Sequence, residues 1–308
     1  MMIEETTVAQ DRPLVTIGLP VYNGENYVAE AVHSILAQSY PHFELIISDN
    51  ASTDNTEAIC RALAKQDARI QYHRAAENRG AAWNYNRAVE LASGKYFRWL
   101  AHDDALAPST LEKSVAVLEE RPEVVLCFTW TQDVDHEGKP IGIKRSNVNS
   151  GAPEVDKRFF GLSRVHPAHN CEEVFGLMRT AVLRNTKMID NYTDSDRTLL
   201  AALGLVGPFY EIPEPLFLHR IHQASSVVVN PDAQERMSWF DPRFRGRLVF
   251  PKWRQLYELF VVIAQSPQPL SVKLKCYRHM LNWIKRGRRK LSNELFWAAR
   301  QIVAPGRA

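Results

Sequence analysis

Cysteine is scarce in this 308-residue chain, and its four copies (Cys60, Cys127, Cys171, Cys276) are scattered without a C-x-x-C pair. That spacing argues against a disulfide framework or a thiol redox motif, and predicts four reduced, partly buried thiols in a cytoplasmic protein. No apolar run approaches the ~20 residues needed to span a bilayer; the longest near the end is Leu259–Ala264. The expectation is therefore a soluble or peripheral protein rather than an integral one. Residues 1–13 (MMIEETTVAQDRP) are polar and acidic, lack the apolar h-region of a secretory signal, and are expected to be disordered. No G-x-G-x-x-G follows the first β-rich run, which disfavours a dinucleotide-dependent oxidoreductase, and the glycine-rich phosphate loop of a nucleotidyltransferase is missing there too. Neither an internal repeat nor a low-complexity segment is present.

What is there is ordinary in bulk and uneven in charge. A hydrophobic fraction of 45% and a charged fraction of 24% suit a globular chain that can bury a large core. The net charge of +3 hides an asymmetry: residues 243–308 carry fifteen Lys/Arg against Glu258 and Glu294, about +13, and residues 1–242 about −10. Two parts with different partners are implied.

The first 130 residues alternate strand and helix patterns. Leu14–Leu19 is a β-rich run, followed by Val28, Ala31, Val32, Ile35 and Leu36 on one helical stripe. Phe43–Ile47, Ile70–His73, Tyr96–Leu100 and Val124–Thr129 read as further strands. Helices are expected from about Asp54, over Ala81–Ala92 and over Pro108–Glu120. Such alternation predicts an α/β fold, a mainly parallel sheet sandwiched by helices, with ligands at the carboxyl ends of the strands. Those ends carry Asn23, Asp49 and Asp103-Asp104.

Beyond residue 130 the patterns are weaker. Asp135–Gly138 reads as a hairpin turn and 146–157 as a mobile polar loop. Helical patterns resume at Cys171–Leu183 and Thr198–Leu205, and the tail from about Trp239 reads as two or three amphipathic helices divided near Pro267 and Pro269. The expected division is 1–13, a catalytic domain 14–240 (nucleotide side to 130, acceptor side beyond), and a basic helical extension 241–308.

Adjacent carboxylates at Asp103 and Asp104, just past a buried strand, suit a hard divalent cation that bridges a diphosphate. Capping of the next helix by Asp104 explains the same pair equally well. Asp49 ends its strand in the turn Asp49-Asn50-Ala51-Ser52-Thr53-Asp54, where a carboxylate could accept a nucleobase N–H and where Asp54 could cap a helix. His166, His169 and Cys171 crowd together, but no fourth ligand at conventional spacing supports zinc, and a loop lining the acceptor pocket fits better.

Five segments occur in order: Pro20-Val21-Tyr22-Asn23, Ser48–Asp54, Asn78-Arg79-Gly80 with Asn84 and Asn86, Ser93-Gly94-Lys95-Tyr96, and Leu100-Ala101-His102-Asp103-Asp104. Together they resemble the inverting glycosyltransferases of family 2, which have the GT-A fold, strongly over 14–130 and more loosely over 165–225. The resemblance implies that Pro20, Tyr22, Asn23 and Asn78 line the nucleoside pocket and that Asp49 contacts a uracil-type base. It places Asp103 toward the ribose or sugar and Asp104 on a Mn²⁺ or Mg²⁺ ion. Thr193-Asp194-Ser195-Asp196-Arg197 resembles the family's acidic motif, which would make Asp196 the general base with Asp194 as its fallback, the alternative being that Asp196 caps the helix over Thr198–Leu205. Arg220 would neutralise phosphate and His222 would be a further metal ligand. Two positions depart from the pattern, Asn50 and Ala101, where an acidic residue is common; they favour the rival reading of a non-catalytic nucleotide-sugar-binding scaffold. The Q-x-x-R-W signature of processive synthases is absent. The expected partners are a nucleotide sugar, in the first place a UDP-sugar, and a glycan or lipid-linked acceptor receiving single sugars. Aromatic residues interleaved with cations over 250–303 suggest an anionic membrane surface, or docking on the acidic domain, with no nucleic acid expected. The location implied is cytoplasmic, peripheral at the inner face of the membrane, in polysaccharide building for the cell envelope.

Overall fold

The computed structural model describes residues 12–164, 171–223, 225, 229 and 233–303. The N-terminal half runs β1 (Val15–Val21), α1 (Val28–Leu36), β2 (Phe43–Asp49), α2 (Thr56–Gln66), β3 (Ile70–Arg74), α3 (Ala81–Leu91), β4 (Tyr96–Trp99), β5 (Ala105–Leu106) and α4 (Thr110–Glu120). Then come β6 (Leu126–Val134), β7 (Pro140–Lys144), α5 (Val155–Ser163), a 3₁₀ turn (Glu172–Phe175), β8 (Leu177–Arg179), α6 (Thr180–Arg184), α7 (Ser195–Val206) and β9 (Phe209–Arg220). Helices α8 (Ala233–Phe240), α9 (Pro251–Gln265) and α10 (Leu270–Val303) follow.

The strands form one nine-stranded sheet in the order β3-β2-β1-β4-β8-β6-β9-β5, with β7 paired to β6. Its first half, β3-β2-β1-β4, is parallel, as expected of strand–helix alternation. Beyond β4 it is mixed: β8 runs antiparallel to both β4 and β6, whereas β9 is parallel to β6. Strand alternation feeds two cores. On β2, Leu45 and Ile47 face the cluster under α1, α2 and α4, whereas Ile46 faces the one under α3, α5 and α7.

Three expectations need correction. The segment 171–183 is a 3₁₀ turn, a strand and a short helix rather than one helix; β8 has three residues, too short for any periodicity to register. The stretch 146–157 is packed: Val148, Ser150 and Ala152 are buried, and Ser146 donates to Glu211 (N···Oε1 3.0 Å) and Glu173 (Oγ···Oε1 2.6 Å). Ser146 thus satisfies two carboxylates, whereas Asn147, Asn149 and Lys157 stay exposed. In the tail, the sequence reads Leu274, Tyr277, Leu281 and Ile284 as one helical face, but only Tyr277 and Ile284 of these pack against the core. Leu274, Leu281 and Leu295 point outward, and Cys276, Met280, Trp283, Leu291 and Ala298 are buried. Most of that buried set shares a core with Phe159 and Leu162 of α5 and Leu199 and Leu203 of α7, so the tail docks on the domain. Among the described residues no helix is long and apolar enough to cross a membrane.

Candidate active site

Two loops at the carboxyl end of the parallel strands are laced together. After β1 the chain turns at Asn23, whose φ of 53° is left-handed, a conformation Asn tolerates. Asn23 Oδ1 accepts from Thr53 N (2.8 Å), Gly24 N donates to Thr56 Oγ1 (2.8 Å), and Glu25 N donates to Asp54 Oδ2 (3.1 Å). Asp54 also accepts from Thr56 N (3.0 Å) at the first residue of α2, one residue ahead of the N-cap, which is Asn55. Pro20 is inside β1, paired with Ser48, and the Tyr22 ring stands exposed at the rim.

Asp49 is buried beneath this shelf. It accepts from Ser52 N (2.9 Å), Ser52 Oγ (2.6 Å) and Tyr72 OH (2.5 Å), with Arg74 Nε 3.6 Å away. A carboxylate offers about four acceptor sites, and these three bonds with the Arg74 ion pair take up most of them on a side chain that has no exposed surface. Asn50, the departure from the resembled pattern, has a structural reason. Its Nδ2 donates to Asn78 Oδ1 (2.9 Å) and Gly80 O (3.2 Å), and its Oδ1 accepts from Arg79 N (3.0 Å). An aspartate could make only the last of these. Gly80 is required: its φ is 88°, and a Cβ there would lie 2.4 Å from Phe240 O. Asn84 and Asn86 are also structural, bonded to Ser48 and Val21 and to Ile189 respectively.

The second group surrounds the loop after β4. Asp104 does not cap α4; its Oδ1 accepts from the Arg220 backbone N–H (3.0 Å) at the end of β9. Burial pushes its pKa well above the ordinary carboxylate range, and the neighbouring Asp103 charge adds to the rise. For Asp103 burial works in the same direction, but His222, whose Nε2 lies 2.9 Å from Oδ2, and the nearby His102 outweigh it and lower the pKa. Arg220 is 3% exposed and largely committed. Nε donates to Asp103 O (3.0 Å), Nη1 to Asp135 O and His136 O (both 3.2 Å), and Nη2 to Glu30, while the guanidinium sits 4.7 Å from the Tyr27 ring centroid. Its charge is close to the pair, but little of its donor fork is free. His222 likewise would have to surrender its Asp103 bond to reach an ion. The two groups adjoin at Gly24, whose virtual Cβ would lie 2.5 Å from His102 Cδ2.

Asp196 lies in the first turn of α7, not at its cap, a position held by Asp194 at φ 67°. Its Oδ1 accepts from Arg197 N (2.8 Å). Burial, followed by the charges of Asp103, Asp104 and Asp196, raises the Tyr85 pKa. Asp194 is held by Lys252 and, at 3.2 Å, by Arg197 Nε. His166 and His169 lie outside the described residues. Several neighbours escaped sequence reading: Glu30, Tyr27, Tyr85, and Glu172, whose charge also raises Asp104. Glu172, Asp133 and His219 form the only group of three potential ligands within 4.8 Å among the described residues. The Lys144 ammonium already sits there, 2.8 Å from Asp133 and 3.3 Å from Glu172.

Comparison with known proteins agrees with this geometry. The family model described as "Glycosyl transferase family 2" matches residues 16–185. TuaG of Bacillus subtilis, a glycosyltransferase whose name assigns it to teichuronic acid biosynthesis, is 39% identical over 130 residues, 42% of this chain and 51% of its own. The uncharacterized glycosyltransferase RP339 of Rickettsia prowazekii is 39% identical over 220 residues, 70% of this chain and 66% of its own. The chain spans about half the length of TuaG and 38% of the Rickettsia felis relative. Among solved structures, S. aureus TarS 1–349 in complex with UDP-GlcNAc superposes with a TM-score of 0.64 at 18% identity, covering 88% of this chain and 72% of that one. The mannosyltransferase PcManGT from Pyrobaculum calidifontis, in complex with GDP-Man and Mn²⁺, gives a TM-score of 0.53 at 16% identity, covering 96% and 88%. These likenesses establish a GT-A fold, and the chain belongs to glycosyl transferase family 2.

Proposed function

We propose that the chain is an inverting glycosyltransferase that moves a single sugar from a nucleoside diphosphate sugar, in the first place a UDP-sugar, to a hydroxyl of a glycan or lipid-linked saccharide. The observation that supports this reading is the Asp103–Asp104 pair past β4, with Asp103 Oδ2 on His222 Nε2 (2.9 Å) and Asp104 Oδ1 on the Arg220 backbone N–H (3.0 Å). A nucleoside would lie on the shelf of Tyr22 and Asn23, over the buried Asp49 and close to the Asn78 loop, and would contact Asp49 only by displacing one of its present partners. Its diphosphate would then point toward the Asp103–Asp104 loop, with the Arg220 charge behind.

The donor set fits a divalent ion. Two adjacent carboxylates, Asp104 buried and driven toward protonation by burial and by the charge of the partly exposed Asp103, are relieved by a hard cation, and both are oxygen donors. Asp104 is the carboxylate we assign to Mn²⁺ or Mg²⁺, with His222 beside it. A bound ion supplies charge neutralisation to the departing diphosphate. The protein's own part is orientation and proton transfer. Asp196 takes the proton from the acceptor hydroxyl as that oxygen attacks the anomeric carbon from the side opposite the diphosphate, which inverts the centre. Asp194, ion-paired to Lys252 and Arg197, holds the turn that presents Asp196. The basic tail extends the reading to a peripheral position at an anionic, inner membrane surface.

The test is calorimetric titration of UDP and GDP into the full chain, with and without Mn²⁺, alongside Asp104→Asn. Metal-dependent UDP binding that the substitution removes is the expected result, followed by transfer from a UDP-sugar that Asp196→Asn abolishes. Binding of neither nucleotide overturns the donor reading, and intact UDP binding with no turnover in any donor–acceptor screen leaves the scaffold reading.

A further inference from the structure

Helix α10 has two working faces, and only one is used by the fold. Its 34 residues make a rod of about 51 Å at 1.5 Å per residue. Along one side Cys276, Met280, Trp283, Leu291 and Ala298 are buried, and Trp283 Nε1 donates to Ser163 O (2.9 Å). Docking on the domain therefore accounts for that side completely. It leaves the opposite side with apolar residues that a fold would ordinarily cover: Leu270, Leu274, Leu281, Leu295 and Phe296 are between 51% and 70% exposed.

Charge on the same helix is one-sided. Residues 270–303 hold nine Lys/Arg and a single acid, Glu294, which is occupied with the Lys252 backbone N–H (2.8 Å). Among the described residues no carboxylate forms an ion pair with Lys285, Arg286, Arg288 or Arg289. With Asn282 these four line an open depression of about 460 Å³ on the surface. Leu281, Lys285, Arg288 and Phe296 fall at spacings of four, seven and fifteen residues, so cation and apolar groups alternate on one stripe rather than on separate faces. An anionic lipid surface takes both: headgroup phosphates meet the cations, and Leu and Phe enter the acyl boundary. A nucleic-acid backbone would use the cations and leave the leucines in water.

Position gives this face a purpose. Lys252 N–H is held by Glu294 of α10, and the Lys252 ammonium is paired with Asp194, two residues before Asp196. The docked side of α10 is therefore tied to the turn that presents the proposed base, and the exposed stripe lies on the remaining side of the same helix. We infer that the outward face of α10, centred on Leu281, Lys285, Arg288 and Phe296, docks on an anionic membrane surface and so brings the acceptor side of the cleft to lipid-linked substrates. The docking rests on the exposed face itself, and its purpose rests on the function proposed above.

Co-sedimentation of the full chain with phosphatidylcholine vesicles, with and without 30% phosphatidylglycerol, tests it. Binding is expected only to the anionic vesicles, weakening as salt rises. With roughly fivefold per surface cation, the Lys285→Ala, Arg288→Ala, Arg289→Ala triple variant should lose about 150-fold in partition, and Leu281→Glu with Phe296→Glu should also detach the protein. All these side chains are exposed, so circular dichroism and Tm should match the parent. Equal binding to neutral vesicles, or none to either, overturns the proposal. So does a concentration-dependent dimer that Leu281→Glu dissolves, which assigns the face to a second copy, or binding of a DNA or RNA oligonucleotide without vesicle partition. UDP titration of the same samples separates the two readings: docking without UDP binding keeps the membrane face and removes the donor site, and the converse removes only the face.

Discussion

Trp283 is the side chain that most directly tests how the tail is held. It is 3% exposed, packs in the core that joins α5, α7 and α10, and donates its indole N–H to Ser163 O at 2.9 Å. Removing a buried Trp side chain to Ala costs about 3–5 kcal/mol through lost burial and the cavity left behind. Trp283→Phe keeps most of the apolar volume and orphans the Ser163 carbonyl, a loss of about 1–3 kcal/mol. At roughly 2.1 cal/mol/K per residue, a 308-residue chain has an unfolding entropy near 0.65 kcal/mol/K. The Ala variant should then melt roughly 5–8 °C early and the Phe variant roughly 2–4 °C early. The internal control is two residues away: Leu281 is 67% exposed, and Leu281→Ala should stay within about 1 °C of the parent. Calorimetry or circular dichroism melts of the three variants supply the ranking. If Leu281→Ala costs more than Trp283→Ala, the docked face of α10 is misassigned, and the membrane inference falls with it.

Two further outcomes follow from buried groups. Glu44 accepts from Thr16 Oγ1 (2.6 Å), Ser93 N (2.7 Å), Ser93 Oγ (2.8 Å) and Gln71 Nε2 (3.0 Å). Burial acts to raise its pKa, but these bonds outweigh it and the net shift is downward. A depressed carboxyl contributes stability that is full above its unfolded pKa and is lost as pH falls through the folded one. Glu44→Gln should therefore lower Tm at pH 7 and lose less on acidification below about pH 4.5 than the parent does; parallel Tm–pH curves would refute this. The four thiols are all buried. Burial pushes Cys60 and Cys127 up to about 12, Cys276 to about 11 and Cys171 well above its ordinary value. Ellman's reagent at pH 8 should find no fast-reacting thiol in the native chain and four after denaturation. A rapid native stoichiometry of one or more would show that at least one of these sites opens.

How much of this was legible in the residues depended on range. Asn23, Asp49 and the Asp103–Asp104 pair were readable because each closes a strand with its own local pattern, and a parallel sheet aligns such ends without further information. Asp54 was likewise readable at the start of α2, one residue ahead of the N-cap, a decision made within two residues. Asp104 could not be resolved locally, since helix capping and an open site predict the same pair of acids; only the Arg220 N–H, 116 residues away, decides against capping. A longer separation, 190 residues for Glu30, hid Glu30 and Tyr27, whose value lies in what β9 brings to them.

Asn50 and α10 show two other ways in which sequence reading falls short. Read as a missing acid, Asn50 suggested a degenerate site. With an amide that donates to Asn78 and Gly80 while accepting from Arg79, it is a fastening that an aspartate could not supply. The departure therefore carries no weight for a scaffold without turnover. In α10 the periodicity was real but ambiguous, because apolar residues populate more than half of the helix circumference. Trp283 and Met280 won the core because α5 presents a complementary surface with the Ser163 carbonyl at its end. Leu274 and Leu281 lost it by about a third of a turn or more and stayed in water. Membrane surface and domain docking, rivals when one stripe had to serve both, become compatible once the helix has two.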